Sequence, residues 1–208
     1  MVFKDRQEAG ERFADKLKSF KGDSGVVVFG ILRGGIVVAE AVAKKLSLPF
    51  SGIVVRKIGA PGNPELAIGA VSGEGVVFWD EEIISDLRIS RREREELLKE
   101  KEREREERER LLGIKIPDME GKIAIVVDDG VATGSTAIAA GMFFKKKRAK
   151  KVVLATPVIA KDRVSYMEKY FDEVVYVDAP EFFYAVGQFY RDFPQVSDEE
   201  ARNLLKSK

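Results

Sequence analysis

Two adjacent carboxylates, three hydroxyls and two glycines stand within eleven residues, VVDDGVATGST at 126–136. Asp128 and Asp129 would repel a phosphate placed directly on them. They are suited instead to accept hydrogen bonds from neutral hydroxyls, as on a ribose. A helix is expected to start near Thr136, and a helix start leaves backbone N–H groups unpaired and partially positive. Gly134 lets a phosphate approach that backbone, and Thr133, Ser135 and Thr136 add hydroxyl donors. With acids for the hydroxyls and amides for the phosphate, residues 132–136 (Ala132, Thr133, Gly134, Ser135, Thr136) read as a cradle for the phosphate of a ribose 5-phosphate. The plainer alternative is a turn leading into a capped helix.

Few other side chains could do chemistry. There are no cysteines and no histidines, which excludes disulfides, thiolate zinc sites, cysteine nucleophiles and imidazole bases. Chemistry must rest on Asp, Glu, Lys, Arg and backbone amides. Lys and Arg total 36 against 35 Asp and Glu, a net charge of +1, so no global field attracts nucleic acid or an anionic membrane. Anion binding has to be local. One local candidate is FGILRGG at 29–35, where glycines permit unusual backbone angles and Arg33 offers charge-assisted bonds worth about 1.5–3 kcal/mol each. A helix-capping turn would explain that loop equally well. The other candidate is Arg56 with Lys57, read as the end of a second strand and followed by a Gly- and Pro-rich stretch over 58–65.

These groups need a frame. Apolar spacing at Ala9, Phe13, Leu17 and Phe20 predicts a helix over 5–20, followed by a strand at 26–29, a helix over 36–46 and a β-branched run at 53–55. Two short strands are expected within 66–79. Further strands at 123–127, 151–157 and 173–178 alternate with helices over 133–147 and 160–170. Continuous apolar strands alternating with helices predict an α/β fold, one Rossmann-like domain whose parallel sheet is covered by helices on both faces, with ligands at the carboxyl ends of its strands. Two segments break the rhythm. Residues 81–115 form a charged helical insertion, with nine basic and nine acidic residues between Arg91 and Arg110. Residues 179–208 are expected to form a tail or small hood, whose six aromatics between Pro180 and Phe193 fit either satellite core packing or a surface that stacks on a planar base.

The order of two hydrophobic residues, two acids and Thr-Gly-x-Thr in VVDDGVATGST resembles the phosphoribosyl pyrophosphate (PRPP) binding motif of type I phosphoribosyltransferases. It is neither a Walker P-loop nor the G-x-G-x-x-G of dinucleotide folds. The FKDRQEAG opening and the RKIGAPGNPE stretch add to the likeness. It implies that Asp128 and Asp129 fix the ribose, that Leu32, Arg33, Gly34 and Gly35 with Arg56 and Lys57 hold pyrophosphate, and that Mg²⁺ is carried mainly by PRPP and water. It implies a catalytic set of Asp128, Asp129, Lys57 and Arg33, transferring the phosphoribosyl group from PRPP to a nitrogenous base in nucleotide salvage or a related role. Tyr184-Ala185-Val186-Gly187 resembles the segment of hypoxanthine-guanine enzymes whose aromatic residue stacks on the purine, so Tyr184 is the expected base contact. Ala132 departs from the 6-oxopurine enzymes, which place an Asp there. The charged stretch reads first as an exposed helix or helical hairpin; in the family a flexible loop closes over the substrates, and if closure persists the helix would be a modified lid or an oligomer contact. A second reading is a non-catalytic PRPP sensor, although no basic recognition helix for nucleic acid is evident. The opening residues lack the apolar core of a signal peptide and no stretch reaches the roughly 18 apolar residues of a membrane span. A cytoplasmic homodimer or larger homo-oligomer is therefore expected.

Overall fold

The structure, a computed structural model, describes residues 1–206. Asp5 caps α1 (Arg6–Phe13) by accepting from the Glu8 amide. The chain then tightens into a 3-10 stretch over Ala14–Phe20, in place of one longer helix, because Leu17 leaves helical angles. Strand β1 (Val26–Ile31) has every residue buried and leads into α2 (Gly35–Leu46) and β2 (Phe50–Ile53). A second group follows with β3 (Arg56–Ala60), β4 (Asn63–Val71), β5 (Val77–Trp79), α3 (Glu81–Asp86) and α4 (Arg91–Leu112). The chain ends with β6 (Ile123–Val127), α5 (Ser135–Lys146), β7 (Lys151–Val158), α6 (Val164–Met167), β8 (Glu173–Asp178) and α7 (Asp198–Lys206).

Five strands form one sheet in the order β2-β1-β6-β7-β8, and each neighbouring pair is parallel. The predicted α/β architecture is present, and its two faces follow from strand alternation. Val26, Val28, Ile125 and Val127 face a core with Phe13, Leu17, Val38 and Val42 from α1, its 3-10 continuation and α2. Val27, Phe29, Ala124 and Val126 face the opposite core with Phe143 and Phe144 of α5. The central strand β6 carries the acidic motif at its carboxyl end. Register pairs Gly30 with Val127, which sets the ends of β1 and β6 side by side.

The remaining strands form a separate antiparallel sheet, β3-β4-β5. Arg56 and Lys57 therefore open β3 rather than ending the second parallel strand. The β-branched run misled because Val54 and Val55 are buried while the chain crosses between sheets. Burial, not strand continuity, selected them. The Gly- and Pro-rich 58–65 stretch is the β3–β4 hairpin, turning at Gly62 with φ +75°.

The charged insertion divides into α3 and α4, separated at residues 87–90. Ser90 and Glu93 form a reciprocal capping box, and Gly113 ends α4 with φ +65°. Exposed pairs such as Arg91–Glu95 and Arg92–Glu96 lie one turn apart at 2.8 and 2.9 Å, each worth only a few tenths of a kcal/mol, about 0.3–0.5. Leu97 and Leu98 do more, packing against Ile58, Ile68, Val71 and Ile84 of the small sheet and α3. Leu112 packs at the other end against Leu32, Ile36 and Val196. The predicted helix 160–170 is shorter, a 3-10 turn over Lys161–Arg163 and then α6. The tail holds a 3-10 turn at Val186–Phe189 and α7; the last two positions of the predicted 179–208 hood lie outside the described residues. Among the described residues no helix is long and apolar enough to cross a membrane.

Candidate active site

The loop after β6 is held at several points. The Asp128 amide donates to the Ala155 carbonyl at 3.2 Å, and the Val131 amide donates to the Val158 carbonyl at 2.9 Å. The Asp129 amide donates to Asp128 Oδ1 at 2.9 Å. Gly134 then takes φ +86°, a left-handed conformation that favours glycine. It also stands where a side chain would strike Met167. No side chain caps α5, so its first amides remain for a ligand, with the partial positive charge of the helix end behind them. Ala132 and Thr133 are exposed at this mouth, Thr136 is half-buried and Ser135 is buried.

Facing this loop is the turn between β1 and α2. The Leu32 amide donates to the Ile53 carbonyl at 3.0 Å, and the Leu32–Arg33 peptide is cis. Gly34 has φ −63°, an ordinary helical angle. Its glycine is required by proximity: a side chain there would collide with Asp129 Oδ2. Gly35 is similar, since a Cβ would come within 2.6 Å of the Val127 carbonyl oxygen. The expectation of unusual backbone angles at these two glycines is thus corrected to one of close approach. α2, like α5, has no side-chain cap. Two helix N-termini therefore flank the acids, and half-buried Arg33 makes no ion pair among the described residues, leaving its charge for a ligand.

The acids are unequal. Asp129 Oδ2 accepts from Arg6 Nε at 2.7 Å, with side-chain exposures of 13% and 9% respectively. Asp128 has no ion pair among the described residues, and burial together with the neighbouring Asp129 charge holds its carboxyl well above the usual carboxylate range. The tail closes on the same loop. Tyr190 donates its hydroxyl to the Asp129 carbonyl at 2.6 Å, and burial pushes its own ionisation upward. The ring of Phe193 lies under the Arg6 guanidinium at 3.7 Å. A side chain at Gly130 would meet Val186 at 2.5 Å.

Three other expected residues bond to groups outside the acidic loop. Arg56 Nε donates to Glu104 of α4 at 2.9 Å, and Lys57 donates to the Glu65 carbonyl at 3.3 Å. The first ties the small sheet to α4 and the second ties β3 to β4, and neither links its cation to Asp128 or Asp129. Tyr184 is 86% exposed, with its amide donating to Gln188 Oε1 at 2.9 Å. Arg6 and Tyr190 were not singled out by sequence reasoning. Arg6 lies 123 residues from Asp129, and an arginine at the start of a helix reads as solvated; only the FKDRQEAG likeness drew attention to that stretch.

The description "phosphoribosyl transferase domain" matches residues 4–194. A Mycobacterium tuberculosis (strain H37Rv) protein named "putative phosphoribosyl transferase" is 41% identical over 209 residues, 98% of this chain and 46% of the relative. The chain belongs to the phosphoribosyl transferase family. It spans about half the length of the curated relatives it matches. As a phosphoribosyl transferase domain it resembles the crystal structure of TT1426 from Thermus thermophilus, at 35% identity and TM-score 0.81, covering 99% of this chain and 98% of that one. A purine phosphoribosyltransferase from Pyrococcus horikoshii shares the fold at TM-score 0.50 and 18% identity, covering 92% of each chain. A hypoxanthine-guanine phosphoribosyltransferase from Bacillus anthracis does so at 0.51 and 15%, covering 91% and 89%.

Proposed function

We propose that the domain transfers the 5-phosphoribosyl group from PRPP to a nitrogenous base with release of pyrophosphate. The observation that carries this reading is the convergence of the two acids with the uncapped N-termini of α5 and α2. Asp128 and Asp129 accept from the ribose hydroxyls, and residues 132–136 hold the 5-phosphate. The 32–35 turn with Arg33 receives pyrophosphate. Departure of pyrophosphate leaves cationic character on the sugar carbon, and donors fixed beforehand on the leaving oxygens lower that barrier without reorganising.

Among the described residues no three acidic, histidine or cysteine side chains converge as a metal cage. Hard oxygen donors from PRPP itself and water, beside Asp128 and Asp129, fit Mg²⁺. When bound, the ion neutralises charge on the leaving pyrophosphate. Tyr184 is proposed as the base-stacking residue, and Lys57 as a contributor to pyrophosphate binding. Arg56, expected with Lys57 at the pyrophosphate, is held by Glu104 and is proposed instead to tether α4.

The test is a panel of purine, pyrimidine and nicotinic bases supplied with PRPP and Mg²⁺, read as pyrophosphate release. Turnover with one base establishes both reaction and acceptor. PRPP binding by calorimetry with no release from any base would replace this reading with that of a PRPP sensor.

A further inference from the structure

One charged group of the site has no part in the chemistry above. Arg6 is 7% exposed, and its guanidinium is engaged on three sides: Nε on Asp129 Oδ2 at 2.7 Å, a terminal nitrogen on the Pro194 carbonyl at 2.7 Å, and its face on Phe193 at 3.7 Å. A planar fork can satisfy these demands together, whereas a lysine ammonium cannot. The Asp129 carboxylate is correspondingly divided. Oδ2 is turned to Arg6 and Gly34, and the carboxylate also neighbours that of Asp128, so Oδ1 is the oxygen not committed to Arg6. The Tyr190 hydroxyl fixes the backbone of the same residue at 2.6 Å, so both ends of Asp129 are held by groups outside the acidic motif. Without Arg6 a second carboxylate would stand uncompensated beside Asp128, where burial already disfavours charge.

Resting on the PRPP reading, we infer that Arg6 is the positioning residue of Asp129, holding Oδ2 so that Oδ1 meets the ribose hydroxyls, and that Phe193 and Pro194 make the tail a participant in ribose recognition. Arg6 touches no reacting atom and acts through Asp129.

The test is a double-mutant cycle on PRPP affinity by calorimetry, with Arg6→Gln, Asp129→Asn and the pair, and pyrophosphate as a second ligand. Arg6→Gln weakens PRPP on the order of tenfold or more, as expected for partners in one network. The double variant is no weaker than Asp129→Asn beyond about twofold, because the function of Arg6 is already gone. Pyrophosphate affinity stays within about twofold of wild type, and Arg6→Lys recovers only part of the PRPP affinity. Unchanged PRPP affinity in Arg6→Gln, or losses that add in the double variant, overturns the inference. Should Arg6→Gln fail to fold by circular dichroism, Phe193→Leu enters the same cycle: coupling to Asp129 supports the inference and additivity overturns it. If wild-type protein binds neither PRPP nor ribose 5-phosphate, the function proposed above falls and this inference with it. Binding by wild type with an additive cycle removes this inference alone.

Discussion

Asp129 Oδ2 occupies the space into which a side chain at position 34 would grow. Two turns from different strands are thus fitted to each other, and the glycine of one is dictated by the carboxylate of the other. Gly34→Ala keeps a permitted backbone angle but drives Asp129 off Arg6. We expect a stability loss of about 1–3 kcal/mol, the usual cost of overpacking, and PRPP affinity reduced on the order of tenfold or more by calorimetry. Gly62→Ala is the control. It is strained by a φ of +75° in open space, so it should cost about 1 kcal/mol and leave PRPP affinity unchanged.

Asp128 supplies a prediction with a sign. Its carboxyl holds a proton to higher pH in the folded chain than in the unfolded one. Above the ordinary Asp value of about 3.9 the folded state therefore binds more protons, and the stability contributed by this group is lost as pH rises toward the raised value. Asp128→Asn should raise the melting temperature at neutral pH, by an increment that shrinks toward about pH 4. PRPP affinity should fall at least about tenfold in the same protein. A melting temperature at neutral pH equal to or below that of wild type would contradict the assigned cause.

Tyr184 separates binding from folding. Because it is 86% exposed, Tyr184→Ala should change stability by less than about 0.5 kcal/mol. Loss of stacking worth about 1–3 kcal/mol should raise KM for the acceptor base by roughly 5- to 150-fold with KM for PRPP unaffected. Equal KM values for the base in both proteins would remove Tyr184 from the site.

Arg56 is tied to Glu104 on α4. Arg56→Ala should cost about 1 kcal/mol or less, speed amide exchange across α4, and leave PRPP affinity within about twofold. A larger loss of PRPP affinity, or a tighter affinity in Glu104→Gln, would return Arg56 to the pyrophosphate.

The parallel sheet was legible because β1, β6 and β7 are buried on both faces and read as apolar runs, and the acidic motif because its residues are contiguous. What was hidden depends on distance along the chain. Nothing near Arg6 in sequence reveals that it faces inward, since its partners come from positions 129, 193 and 194. Arg56 and Lys57 were misplaced because β-branched residues mark burial in a crossover as readily as in a strand. Gly34 and Gly35 were noticed for the right residue type and the wrong reason, as their need for a missing side chain comes from the neighbouring strand's turn.

The Phe3 amide donates to the Phe189 carbonyl, the Arg191 amide donates to the Phe3 carbonyl, and Arg6 reaches Pro194 across 188 residues. This has a consequence for biosynthesis. On a ribosome β6 and its acids emerge before residues 189–194 exist, so the bonds of Phe3 and Arg6 to that later segment can form only once it has been made. Ribose recognition that rests on Arg6 would then mature only when residues 3–6 and 189–194 close together over Asp129.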